Sequence, residues 1–210
     1  MKNPVMIFGA KGLGKVALDI FQSNNVMIYC FLDDDKGLHG KEIGDIAVLG
    51  STDDNGFLQY LGKKCEAFIA SDDNKYRENL VDMLRTRKIM PINAIHEKAF
   101  VSEYAFIGYG NMVNAGVVVN SYARIGNHCI VSCNATIDFD AELEDFVQVG
   151  SGSVINSGVK IGKNAFIGSG VTIVSGVKIG KKARIGAGSV VISDVKDGET
   201  VFGNPAKVMD

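Results

Sequence analysis

From Val101 onwards an aliphatic residue returns at every sixth position, through Ile107, Val113 and Val119 to Ile185 and Val191, sixteen positions with none skipped or inserted. Two residues before most of them stands a small or branched side chain, as in Ala105, Val117, Ala123, Cys129 and Ala135, with Asn111 as the exception. A spacing of two puts both side chains on one face of a strand, so each hexad predicts one short strand with two inward residues, the second large. The residue that follows is mostly Gly, Asn or Asp, as at Gly108, Asn114, Gly126 and Asp138. These types enter positive φ with least strain, so this position is expected to turn each corner. Three strands and three corners make a coil of 18 residues, and the run holds about five coils of a triangular parallel-strand solenoid.

Residues 1–95 lack this beat and read as alternating strands and helices. A strand from Pro4 to Phe8 leads through Gly9-Ala10-Lys11-Gly12-Leu13-Gly14 into a helix ending near Asn24, and a second strand from Val26 to Leu32 ends in Asp33-Asp34-Asp35. Further elements are a helix near Asp54–Leu61, a strand at Ala67–Ala70, a helix from Asn74 to about Arg87 and a strand around Met90–Ile95. This alternation predicts a small doubly wound, Rossmann-like α/β domain over 1–95, followed by the solenoid and its tail over 96–210. A glycine loop between strand and helix aims backbone amides and a helix N-terminus at an anion. The order is G-x-x-G-x-G, which does not specify a plain dinucleotide cofactor. Asp33 and Asp34 stand about twenty residues on, where a ribose is often held; a solvated Asp-rich turn is the other reading.

Composition narrows the function classes. The 210 residues carry a net charge of -2 with no basic block, which argues against a nucleic-acid partner. No apolar run approaches ~18 residues, and Met1-Lys2-Asn3-Pro4 does not open a secretory signal, so a cytoplasmic protein without a membrane partner is expected. Four cysteines without a CxxC pair read as reduced, buried thiols, and no metal site is expected. Twenty-five Gly against three Pro fit an ordered, repetitive fold.

Several segments together resemble one family: Ile7-Phe8-Gly9-Ala10-Lys11-Gly12, Phe31-Leu32-Asp33-Asp34-Asp35, Leu38-His39-Gly40-Lys41, Val48-Leu49-Gly50-Ser51, Ile95-His96, the hexads, and Phe202-Gly203-Asn204-Pro205-Ala206-Lys207. They are similar to the bacterial hexapeptide-repeat sugar O- and N-acyltransferases, the branch of sialic acid O-acetyltransferases and nucleotide-linked 4-amino-sugar N-acetyltransferases. The resemblance implies a left-handed parallel β-helix, although the crossover rule alone favours the opposite hand. It also implies a homotrimer, acetyl-CoA as co-substrate, and a nucleotide-linked sugar held by the α/β domain through Gly9, Gly12, Asp33 and Asp34. Coenzyme contacts are implied at Ser157, Gly203, Asn204, Pro205 and Lys207.

The same resemblance exposes a gap. The family places a catalytic histidine in a corner segment that here reads Ile137-Asp138-Phe139-Asp140, so Phe139 occupies the position of the base, and a second histidine position nine residues on is Gln148. Phenylalanine accepts no proton. Among the three histidines, His39 and His96 match structural positions of the family, and His128 is expected on a different prism edge from Phe139. Asp138 and Asp140 are the candidate bases. Alternatively, an amine acceptor needs little more than positioning and a water relay, which favours N- over O-acyl transfer. A third reading is a relative that binds acyl-CoA or nucleotide-sugar without turnover. A γ-type carbonic anhydrase is excluded, because His128 is the one histidine inside the hexad run. Phe139, Phe146 and Phe166 are expected to share an exposed prism face that a trimer would cover.

Overall fold

A computed structural model describes residues 3–209. The chain divides into two compact units between Glu97 and Lys98. No described helix is long and apolar enough to cross a membrane.

The first unit carries strands β1 (Val5–Phe8), β2 (Ile28–Leu32), β3 (Glu42–Ile43), β4 (Ile46–Gly50), β5 (Glu66–Ile69) and the short β6 (Ala94–Ile95). Its helices are α1 (Gly12–Ser23), α2 (Asn55–Leu58) and α3 (Asn74–Thr86). The main sheet runs β3-β4-β2-β1-β5, parallel except for the β3/β4 pair. Alternate residues of the central strands face opposite layers. Met6, Phe8, Cys30, Leu32 and Ile69 pack with Leu80 and Leu84 of α3, while Phe21 of α1 meets Phe68 edge-on at 5.4 Å. Burial of Cys30 in this layer pushes its thiol up to about 12, so it behaves as an apolar side chain rather than a nucleophile.

Three elements differ from the sequence reading. The helix expected over Asp54–Leu61 is a single turn, because Leu61 bridges to Cys65 and Gly62 takes φ 70. The strand expected at Met90–Ile95 forms only at its end, and the preceding stretch hangs on β5 through the Ile92 N–H to the Ala67 carbonyl at 2.9 Å. The β3/β4 hairpin was not anticipated, although Gly44-Asp45 between Ile43 and Ile46 is a two-residue hairpin signal.

The second unit is the left-handed parallel β-helix, and its register follows the beat. Thr136–Ile137 pairs with Val118–Val119 before it and Val154–Ile155 after it, a step of 18 residues that recurs on all three faces. The aliphatic positions are buried from Val113 to Val191. Backbone amides are satisfied by the next coil, as from Phe106 N–H to the Ala123 carbonyl (2.9 Å) and from Arg124 N–H to the Ala141 carbonyl (2.8 Å). The inward polar residues complete this wiring. Asn111 is fully buried; its side chain donates to the Gly126 carbonyl and accepts from the Cys129 N–H. Ser153 likewise bonds the Gly168 carbonyl and the Val171 N–H. The last coil is two residues shorter, with Arg184 paired to Thr200, and a hairpin of Thr200–Gly203 and Ala206–Val208 closes the unit.

The corners correct the sequence reading. Positive φ falls three residues after each aliphatic position from Ile107 to Ile185, at Tyr122, His128, Asn134, Asp140 and Phe146 and at glycines such as Gly152 and Gly170. The glycines directly after the aliphatic residue serve a different need. A Cβ on Gly150 would lie 2.5 Å from the Ser169 nitrogen, and one on Gly168 would lie 2.6 Å from the Ala187 nitrogen. They let consecutive coils stack, while the later residue makes the bend. The aromatic residues do not share a face either: Phe146 is buried on the His128 ring, Phe166 lies under the Arg184 guanidinium, and Phe139 alone of the three is exposed.

This division of labour predicts unequal costs. Gly168→Ala is expected to lower unfolding stability by about 3 kcal/mol or more through the backbone clash. Gly170→Ala, with open space around it and only the φ penalty, should cost about 1 kcal/mol. Denaturant titration of the two variants separates the effects.

Candidate functional site

In the first unit β1 has β2 on one side and β5 on the other, so the chain winds in opposite directions from it and leaves a crevice at the carboxyl ends of the strands. A pocket of about 320 Å³ opens there, and all four residues expected to hold the sugar nucleotide line it: Gly9, Gly12, Asp33 and Asp34. Gly9 has φ 107, and a Cβ on it would lie 2.5 Å from the Ala70 carbonyl oxygen, so only glycine lets the loop close against the end of β5. Lys11, Leu13, Asp35, Tyr76 and residues 70–72 complete the wall.

The acidic turn is hydrogen-bonded into the fold, although Asp34 and Asp35 stay exposed. Asp33 Oδ2 accepts the Ala10 N–H at 2.8 Å and Oδ1 accepts the Asp35 N–H at 2.9 Å, which ties the glycine loop to the end of β2. His39 Nε2 lies 2.7 Å from the Asp33 carbonyl oxygen, consistent with a structural histidine. Asp34 Oδ1 accepts from the Thr52 N–H and hydroxyl at 2.9 and 2.7 Å, and Oδ2 accepts from the Tyr76 hydroxyl at 2.9 Å. Burial works against the charge on Asp34, but these donors prevail and hold its carboxyl below the usual value. Tyr76 is pushed up to about 12 by burial and by its bond to Asp34. Tyr76 comes from α3, 42 residues away from Asp34, and no local pattern announces it. Lys11 and Asp35, by contrast, stand inside the motifs already singled out, as an ion pair of 2.7 Å.

In the second unit Phe139 projects from the corner after Thr136–Ile137, 51% exposed. The flanking acids differ. Asp138 Oδ1 accepts both the Asn120 side-chain amide and the Phe139 N–H at 2.8 Å, so this carboxylate fixes the corner. Asp140 is the exposed residue with φ 57. Ser157 occupies the same corner one coil on, its hydroxyl donating to Ser175 at 3.1 Å. His128 sits at another corner, 3% exposed, between the Tyr109 and Phe146 rings. Gln148 lies on the sheet that also carries the C-terminal hairpin, not beside Phe139. The hairpin turns at Gly203, Asn204 and Pro205, the Gly203 N–H donating to the Ser189 hydroxyl at 3.1 Å, and Lys207 is exposed. Ser157 and the Gly203–Lys207 segment therefore occupy different corners of one prism. Among the described residues, no group of three or more His, Cys, Asp or Glu side chains is placed to hold a metal ion.

The Asp34 network has a pH signature. Because its folded pKa lies below the ordinary 3.8, Asp34 contributes stability above that pH and loses it as the pH falls through the folded pKa. Urea unfolding at about pH 7 and pH 3 should show a smaller acid loss in Asp34→Asn than in the parent chain.

Residues 4–84 match the PglD N-terminal domain, and residues 140–175 and 158–193 match the bacterial transferase hexapeptide (six repeats). A mutant perosamine N-acetyltransferase from Caulobacter crescentus, solved in complex with CoA and GDP-perosamine, is 30% identical with a TM-score of 0.92, over 100% of this chain and 98% of that one. The acetyltransferase domain of PglB from Neisseria gonorrhoeae FA1090, in complex with acetyl coenzyme A, is 29% identical with a TM-score of 0.92 over the full length of both. WeeI from Acinetobacter baumannii AYE is 26% identical with a TM-score of 0.86, over 98% and 99%. No curated protein sequence matches the chain. With this likeness running from the glycine loop to the last coil, the chain belongs to the hexapeptide-repeat sugar acyltransferases that carry a PglD-type N-terminal domain.

Proposed function

We propose that the protein transfers an acyl group, in the first instance acetyl, from acyl-CoA to an amino group of a nucleotide-linked sugar for bacterial surface-glycan synthesis. The observation that carries this reading is the full-length likeness to an N-acetyltransferase solved with CoA and GDP-perosamine. The switch-point pocket in this chain supports it. Gly9, Gly12, Asp33 and Asp34 hold the nucleotide portion, while Ser157, Gly203, Asn204, Pro205 and Lys207 hold the coenzyme. Both substrates are cytoplasmic metabolites, and the enzyme works there.

The reaction joins the amine nitrogen to the thioester carbonyl carbon, breaks the carbon–sulfur bond, and passes one proton from nitrogen towards the leaving thiolate. Asp140 takes that proton, directly or through water, because the Asp138 carboxylate is engaged at Oδ1 by Asn120 and by the Phe139 amide. Asp138 then positions the corner. An amine acceptor supports this arrangement, since a neutral amine attacks a thioester without prior deprotonation, whereas a hydroxyl needs a base in the transition state.

A homotrimer completes the proposal. Ser157 and the Gly203–Lys207 turn lie at different corners of one prism, so a single groove holds both only when a neighbouring prism contributes one of them. Analytical ultracentrifugation is expected to give a mass about three times 22.5 kDa.

The activity is tested by following acetyl-CoA consumption, with mass detection of product, across UDP-, GDP- and dTDP-linked 4-amino-4,6-dideoxy sugars and their 4-hydroxyl counterparts. Transfer to an amine and not to a hydroxyl is expected. Asp140→Asn should lower kcat about tenfold, because water can take the proton in its place, and Asp138→Asn, which keeps an acceptor oxygen in place, should lower it less. Measurable binding of both substrates with no transfer to any sugar would sink the proposal.

A further inference from the structure

The pocket of the first unit poses an electrostatic problem for the ligand assigned to it. Its lining holds one cation, Lys11, against four carboxylates, Asp33, Asp34, Asp35 and Asp72. A nucleoside diphosphate carries several negative charges of its own, so a pocket of this composition would repel it unless the cation is available to it. Both Asp33 oxygens receive backbone N–H donors, and both Asp34 oxygens receive donors from Thr52 and Tyr76. These bonds orient the two acids and favour the charged form of Asp34, so the negative charge of the pocket remains and a diphosphate depends on its one cation.

Lys11 is placed to do the rest. It is the N-cap residue of the 12-residue helix α1, in extended conformation on the loop between Gly9 and Gly12, with nothing within 4 Å of where a Cβ on Gly12 would stand. Its ammonium meets Asp35 Oδ2 at 2.7 Å, and the two side chains are 65% and 44% exposed. An ion pair this exposed is held weakly, whereas a diphosphate offers more charge and several acceptor oxygens. Asp35 has a second partner to fall back on, because its Oδ1 accepts the Gly37 N–H at 2.9 Å. The bond to Asp35 also raises the Lys11 pKa, so the ammonium stays charged throughout the neutral range.

We infer that Lys11 is the diphosphate-binding cation of this pocket, parked on Asp35 in the empty site and transferred to the phosphates when the nucleotide-sugar enters. The inference rests on the reading of the pocket as a nucleotide-sugar site and adds the residue that makes an acidic pocket tolerate an anionic ligand. Asp35 acts as a competitor for that cation and thereby sets how tightly the diphosphate is held.

Calorimetric titration of the full-length protein with GDP, UDP and dTDP, and with guanosine, uridine and thymidine, tests it. In Lys11→Gln the affinity for the preferred diphosphate is expected to fall about tenfold and to lose part of its salt dependence. The matching nucleoside should stay within about twofold. Asp35→Asn, which keeps an oxygen for the Gly37 N–H, should tighten the diphosphate severalfold. A diphosphate affinity unchanged in Lys11→Gln, or one that falls in step with the nucleoside, overturns the role of Lys11 and leaves the nucleotide-sugar reading standing. If neither diphosphates nor nucleosides bind the parent chain, both are overturned.

Discussion

The prism depends on a single constraint, that each coil finds its backbone hydrogen-bond partners in the coils above and below it. A strand of two residues, such as Thr136–Ile137, is far too short to persist alone, and its amides are satisfied only because Val118–Val119 and Val154–Ile155 lie in register on either side. One inserted residue would turn the inward aliphatic positions outward for the rest of the chain. The spacing can therefore change only at an end. It does so after Val191, where the last coil loses two residues and the Thr200–Val208 hairpin takes over. The same constraint explains the two classes of corner residue. Where glycine follows the aliphatic position, as at Gly150 and Gly168, a Cβ would meet the backbone of the next coil, and the change of direction falls on the residue two places later.

The α/β unit is governed by a different geometry. Its pocket exists because strand order reverses around β1, and the residues gathered there come from four separate stretches of chain. What keeps them in place is a set of carboxylate bonds: Asp33 to the glycine loop, Asp34 to Thr52 and Tyr76, Asp35 to Lys11 and Gly37. Three consecutive aspartates thus fasten three different segments to the end of β2. Their spacing in sequence is short because alternate side chains at a strand end point to opposite sides: Asp33 and Asp35 reach the glycine loop at Ala10 and Lys11, and Asp34 reaches Thr52 and Tyr76.

Much of this is legible in the sequence alone. A period of six over sixteen positions admits few folds, and its aliphatic positions from Val113 to Val191 are the buried ladder. Gly9, Gly12, Asp33 and Asp34 line one pocket, since strand–loop–helix punctuation places them at one end of a parallel sheet. The corners were misassigned because glycine tolerates positive φ and also permits close approach, and composition alone does not distinguish the two uses. Tyr76 was missed for another reason: its partnership with Asp34 is purely tertiary, and an aromatic residue on an amphipathic helix reads as core. Lys11 was visible inside the glycine loop, but its role depends on the charges that the fold collects around it.

The amine acceptor proposed above places a modest chemical demand on the corner that carries the exposed Phe139. In attack by a hydroxyl, the oxygen must lose its proton as the carbon–oxygen bond forms, so a base has to be in place in the transition state and its loss is severe. In attack by an amine, bond formation comes first and turns the nitrogen into an acidic ammonium, which sheds its proton readily to a carboxylate or to water. The demand on the protein shifts from basicity to orientation, and orientation is what a rigid coil corner supplies. The Asp138 carboxylate, bonded to Asn120 and to the amide of Phe139, holds that corner, and Asp140 presents its side chain to solvent one residue further on. A prism corner that carries Phe139 is therefore compatible with the amide formation proposed for this chain.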